Sequence, residues 1–164
     1  TKEQIDLSRI ISVPDELSNE LYKCRVIYSV EIISITFQKY KEKKISSLQL
    51  VQDNDITYTH KYEDRTEIEK HLSVAKADEI LIIKNGFVTD TSFSNVVFFD
   101  GTKYFTPSSP LLKGTKRAKL IADGTIQEEE IRLNDIQKFK FVYLVNALLD
   151  LKEENRIPIE KIIF

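Results

Sequence analysis

Three places in this 164-residue sequence combine residue types that could do chemistry: a lysine beside an apolar strand, a carboxylate between two short strands, and a glycine that opens a helix. Lys61 lies in ITYTHKYEDR (56–65), just before a helix that begins near Asp64. Partial desolvation there would lower its pKa and offer a neutral amine for Schiff-base formation. Taken alone, it reads as an exposed lysine in a polar loop. Asp90 lies in VTDTSFSNVVF (88–98). A carboxylate held between strands can pair with a cationic ring nitrogen and keep it protonated. Taken alone, Asp90, Ser92, Ser94 and Asn95 read as turn residues bonding their own backbone. The third place is TPSSPLLKGTKRAKLI (106–121), where a proline-rich loop leads through Gly114 into a helix. Free N–H groups and the helix dipole bind phosphate there, with the Thr115 hydroxyl and the charges of Lys116 and Arg117 in support. The segment lacks the full Gly-x-x-x-x-Gly-Lys-Ser/Thr phosphate loop.

These places need elements to hold them. Residues 1–19 are polar, interrupted by Pro14, and read as a short helix or loop. Residues 21–40 are rich in Val, Ile, Tyr and Phe and partly alternate, which predicts strands. KYKEKK (39–44) reads as a solvated turn, a strand follows at 45–51, and Asp53-Asn54-Asp55 signals a loop. From Asp64 to Ala77 the spacing of Ile68, Leu72 and Ala75 is helical, with Asp64 or Thr66 as the cap. Asn85-Gly86 joins EILIIK (79–84) to Phe87-Val88-Thr89 as a hairpin, and Asp100-Gly101 joins NVVFF (95–99) to KYFT (103–106). The Gly114 helix runs to about Ala122 and ends at Asp123-Gly124; a strand at 126–132, a short helix at 134–138 and a buried strand at 140–146 follow. The pattern is α+β with several hairpins and no regular βαβ alternation. A boundary near 48–55 divides a small N-terminal domain, 1–50, from a larger one, 51–164.

Composition excludes several classes. With 41% hydrophobic and 30% charged residues the chain can bury a core. Twenty-four basic residues are interspersed among twenty-six acidic ones, net charge −2, so no nucleic-acid or membrane-surface footprint exists. The lone Cys24 points to a reducing, cytoplasmic setting. No signal segment and no membrane-spanning apolar run are visible. No metal-ligand spacing occurs; His60 and His71 read as local packing and as the polar side of a helix. No Gly-x-Ser-x-Gly supports hydrolase chemistry.

In their order along the chain, Lys61, Asp90 through Asn95 (DTSFSN), Thr106-Pro107 and Leu112-Lys113-Gly114-Thr115-Lys116-Arg117 resemble the class IV (fold type IV) pyridoxal 5′-phosphate (PLP) enzymes from about Tyr22 onward. That family contains branched-chain and D-amino acid aminotransferases and 4-amino-4-deoxychorismate lyase. The resemblance implies a D-amino acid aminotransferase-like fold, a homodimer, PLP as cofactor and a small amino acid or amine substrate. It makes Lys61 the Schiff-base lysine and the acid/base that moves the α-proton. Asp90, standing where the family usually has Glu, would pair with the pyridine nitrogen. Gly114, Thr115 and Lys116 would bind the phosphate, with Asn95 in the same cofactor site. Arg25, in YKCRVIYS, resembles the family's substrate-carboxylate arginine.

Two features lean towards the lyase branch and join the cofactor-site set. Arg65, four residues after Lys61, resembles that branch's Lys-x-x-Asn-Arg, with Asp64 replacing Asn. Val145-Asn146-Ala147-Leu148 resembles its Asn-Ala/Ser-Leu/Met. The resemblance also implies a phosphate-gripping arginine upstream of Tyr22. Arg9, in DLSRII, does not match that motif, and the sequence does not open on Met, so either missing upstream residues or a shortened branch is expected. The expected function is therefore a lyase that releases pyruvate to give 4-aminobenzoate. A class IV aminotransferase and a cofactor-free remnant of the fold are the alternatives.

Overall fold

The computed structural model describes residues 6–17 and 19–164, so part of the segment read as a short helix or loop lies outside the described residues. The chain divides into two compact units, 1–42 and 43–164. In the first, a four-residue helix α1 (Leu7–Ile10) is capped by Asp6. Strands β1 (Tyr22–Tyr28) and β2 (Ile32–Lys39) form an antiparallel hairpin, from Tyr22 opposite Lys39 to Ile27 opposite Ser34.

The second unit carries β3 (Leu48–Gln52), α2 (Thr66–Ser73), β4 (Glu79–Lys84), β5 (Phe87–Thr91), β6 (Asn95–Phe99), β7 (Tyr104–Pro107), α3 (Thr115–Ala122), β8 (Gln127–Glu129), β9 (Phe141–Val145), β10 (Ile157–Pro158) and β11 (Ile162–Ile163). Its sheet has the order β10-β9-β6-β5-β4-β3-β11, with β7 and β8 branching from β6. A boundary at 50/51 would cut β3, which is hydrogen-bonded in parallel to β4 from Leu48–Glu79 to Gln52–Ile83. The divide falls instead at 42/43. Parallel neighbours need a long crossover. Here residues 53–78 supply it, with α2 inside, so one βαβ unit sits among the hairpins.

Both faces of the sheet are covered, which explains the unbroken apolar run of β4. Leu81 and Ile83 point into one cluster with Val88, Val96, Phe98, Val142 and Leu144. Ile80 and Ile82 point to the other face, where Ile56 and Ile68 pack on them. Val97, Tyr143 and Val145 form a third cluster, under Leu120 and Ile121 of α3. Each such side chain contributes about 1.5–3 kcal/mol on burial.

Turn chemistry sets the connections. Asn85 (φ 52°) and Gly86 (φ 82°) take the left-handed conformation that a two-residue hairpin demands. The strand expected over 126–132 shortens to Gln127–Glu129. Beyond it Phe87 bridges Arg132, and Val88 N–H donates to Ile131 C=O at 2.9 Å. Because β5 spends those groups on residues 131–132, its register with β6 reduces to one pair, Asp90 opposite Asn95.

Candidate functional site

That single joint is where the candidate residues converge. A cavity of about 240 Å³ is lined by Lys61 and Arg65 from the β3–β4 crossover, Asp90 and Asn95 from the β5–β6 joint, Gly114 and Thr115 from the start of α3, and Asn146 and Ala147 after β9. Ile68, Phe93, Leu111 and Leu112 supply apolar wall.

Asp90 is 5% exposed. Its Oδ1 accepts from Asn95 Nδ2 at 2.7 Å and its Oδ2 from Leu112 N–H at 2.9 Å. Burial pushes its carboxyl from an ordinary 3.8 up to about 6, and these hydrogen bonds oppose the rise. Asn95 Nδ2 also donates to Leu112 C=O at 2.7 Å. The Asn95 amide thus straps the loop before α3 to the β5–β6 joint. Gly114 lets this happen: a Cβ there would lie 2.2 Å from Asn95 Oδ1.

No side chain caps α3 at Gly114, so its first N–H groups lack intrahelical acceptors at the cavity wall. The charges expected to help there are engaged elsewhere. Lys116 pairs with Asp150. Arg117 is 4% exposed and donates to Pro107 C=O at 2.8 Å and to Glu128 at 2.5 Å. Both side chains therefore brace α3, and the electropositive character of this corner comes from backbone N–H groups and from Lys113, which also lines the cavity.

Lys61 is exposed, which corrects the expectation of a desolvated amine. The loop carrying it begins at Asp53 and leads into α2, which ends near His71. His71 Nε2 lies 2.7 Å from Asp53 Oδ2, so one contact closes both ends of that segment. The His71 hydrogen bond, followed by those from Ile56 and Asp55 N–H, holds the Asp53 carboxyl below its ordinary value against a rise from burial. His71 is therefore a strut rather than a solvated helix residue. His60 Nδ1 contacts Thr59 Oγ1 and Tyr62 OH at 3.2 Å each, the local role expected of it. Asp64 Oδ1 accepts from Thr66 N–H at 3.0 Å one residue ahead of the cap, which is Arg65 rather than the expected Asp64 or Thr66 and makes no side-chain cap hydrogen bond.

Arg65 donates from Nη2 to Ser92 C=O and lies over Tyr58, 5.9 Å from the ring centroid. Asn146 Oδ1 accepts from Leu148 N–H at 2.8 Å, which shapes the Asn146–Leu149 turn at the cavity edge. Arg25 lies on β1 in the first unit, opposite Thr36. Among the described residues no cluster of His, Cys, Asp and Glu could hold a metal, and no helix is long and apolar enough to cross a membrane. Sequence reasoning missed Glu79, which lies buried behind the wall and bonds Ser92 N–H at 3.2 Å. No short-range pattern marks it, because the partner that ties it to the cavity wall is thirteen residues away.

The amino-transferase class IV family model matches residues 19–152. The chain belongs to that family, which is a family of enzymes. It is 42% identical over 144 residues to an uncharacterized protein of Haemophilus influenzae, covering 87% of this chain and 77% of the relative. The crystal structure of a candidate 4-amino-4-deoxychorismate lyase from Haemophilus somnus matches with a TM-score of 0.78 and 33% identity, over 81% of this chain and 69% of that one. The branched-chain amino acid aminotransferase of T.th., solved with N-(5′-phosphopyridoxyl)-L-glutamate, shares the fold at a TM-score of 0.55 and 17% identity, over 75% of this chain and 44% of that one. The α+β architecture read from the sequence is thus that of class IV aminotransferases.

Proposed function

We propose that this chain binds PLP in the cavity at the β5–β6 joint and acts as a lyase of the 4-amino-4-deoxychorismate type. The observation that carries the reading is the convergence of Lys61, Asp90, Arg65, Asn146 and the uncapped start of α3 on one cavity. The residues fit the cofactor. The buried carboxylate of Asp90, uncomfortable as a lone charge, suits a protonated ring nitrogen. The α3 N–H groups suit a phosphate, and Lys61 on the cavity lining suits an aldehyde. When bound, PLP supplies an electron-withdrawing ring that stabilises negative charge on the carbon bearing the substrate amine.

Lys61 takes the proton from that carbon and serves as the acid/base of the site. Arg65 places a cation at the same cavity to orient an anionic group of the substrate. Asn146 shapes the far edge. The enolpyruvyl substituent leaves as pyruvate and the ring aromatises to 4-aminobenzoate. The similarity to the Haemophilus somnus structure and the Lys61–Arg65 spacing support the lyase over the aminotransferase. Incubation of the PLP-loaded protein with 4-amino-4-deoxychorismate, without an amino acceptor, should release pyruvate. No pyruvate, with glutamate formed from 2-oxoglutarate and a branched-chain or D-amino acid instead, would assign the aminotransferase. A cytoplasmic homodimer belongs to the same proposal, and sedimentation of the purified protein reads its assembly.

A further inference from the structure

Behind the cavity wall lies a buried charge that the proposed chemistry does not use. Glu79 opens β4 and is 1% exposed. Its Oε1 accepts from Ile80 N–H at 2.8 Å and from Ser92 N–H at 3.2 Å. Its Oε2 is buried and has no hydrogen-bond partner among the described residues. A neutral glutamine could accept from the same amides with far less desolvation, because a buried carboxylate is costly without a counter-charge. Arg65 offers one. It donates to the C=O of the same Ser92, and its Nε is likewise buried without a partner among the described residues. Ser92, 6% exposed, therefore turns its N–H to an anion and its C=O to a cation. Opposite charges orient the backbone groups between them this way, and a low local dielectric strengthens the effect. Glu79 itself does not line the cavity, whereas Arg65 and Ser92 do.

We propose that Glu79 is a positioning residue: through the two backbone groups of Ser92, its charge holds Arg65 at the cavity wall and fixes the 91–94 turn. The proposal deepens the reading of the cavity as a ligand site, and its first test needs no cofactor. Glu79→Gln, Arg65→Gln and the double variant are compared with wild type by urea unfolding of the cofactor-free protein. Glu79→Gln should lower the folding equilibrium constant about tenfold in the wild-type background and less than about twofold beside Arg65→Gln, the non-additivity expected of coupled charges. Equal losses in both backgrounds would overturn the proposal, since a carboxylate that merely accepts from Ser92 costs the same with or without Arg65. Should Glu79→Gln fail to fold, the double variant decides. Restored folding supports the coupling, because the cation left without its counter-charge is gone; continued failure overturns it. A second readout is the PLP dissociation constant from absorbance. Both single variants should raise it by similar factors, and the double variant by no more than either. An unchanged constant in Glu79→Gln would overturn the positioning role. If wild type binds no PLP, the cofactor reading fails and the urea cycle alone decides this one.

Discussion

Asp90→Asn should abolish one segment of the pH dependence of stability while leaving stability at pH 7 nearly unchanged. In the folded chain burial raises the Asp90 carboxyl from 3.8 to about 6. Between those values the native state binds more protons than the unfolded state, so this group makes stability fall as pH rises from about 4 to about 6. At about 1.4 kcal/mol per pKa unit, the loss comes to about 3 kcal/mol at pH 7. Asparagine removes that burden but turns an N–H₂ toward one of two donors, Asn95 Nδ2 or Leu112 N–H, that now reach a carboxylate oxygen. The unmade hydrogen bond costs about 1–3 kcal/mol, which offsets the gain. The level at pH 7 is therefore uninformative and the slope is the signal. Urea unfolding of the cofactor-free proteins from pH 4 to pH 7 measures it. Carboxylates with lowered pKa, Asp53 among them, act in the opposite sense below their ordinary value and cancel in the difference between the two proteins. Parallel curves would refute the reasoning, because Asp90 would then titrate alike in both states. Saturation with PLP should flatten the wild-type slope if the cofactor brings a cation to this carboxylate.

Four further outcomes follow from the same geometry. Gly114→Ala places a methyl 2.2 Å from Asn95 Oδ1; overpacking of this kind costs about 1–3 kcal/mol, and PLP affinity should drop with it, as absorbance titration checks. Arg117→Ala should destabilise by about 1–3 kcal/mol in urea, because it leaves the buried Pro107 C=O without its donor. Lys116→Ala, at a pair whose Asp150 is 59% exposed, should cost under about 1 kcal/mol and leave PLP affinity within about twofold. Asp53→Asn weakens the contact that closes the Lys61 segment. Since the Asp53 carboxyl is held low, its contribution is present above 3.8 and fades as pH falls through the folded value. A loss of about 1–2 kcal/mol at pH 7 and faster amide exchange across 54–65 are expected.

Local signals made much of this fold legible. Asn85-Gly86 and Asp100-Gly101 announce hairpins because Asn85, Gly86 and Gly101 adopt positive φ. Asp64-x-Thr66 announces α2 through a hydrogen bond that spans two residues. The candidate site is legible in the order of its motifs rather than in any one residue: Lys61 alone reads as a loop lysine, and only its place in line with Asp90 and Gly114 singles it out. What escaped depends on distant partners. Parallel pairing of β3 with β4 moved the unit boundary to 42/43, away from the loop signal at Asp53-Asn54-Asp55. Arg117 and Lys116 looked like phosphate cations because Glu128 and Asp150, which engage them, are remote in sequence. Glu79 carries no local mark in EILIIK (79–84), and it is the packing of β4 between two covered faces that buries it.

The most direct test of the account is to trap the cofactor on the chain. The protein is saturated with PLP, its visible absorption recorded, and the linkage reduced with borohydride before peptide mapping. A single modified peptide should carry the label, on Lys61, and Lys61→Ala should lose both the absorption and the label. Label on another lysine such as Lys113, or none at all, would contradict it.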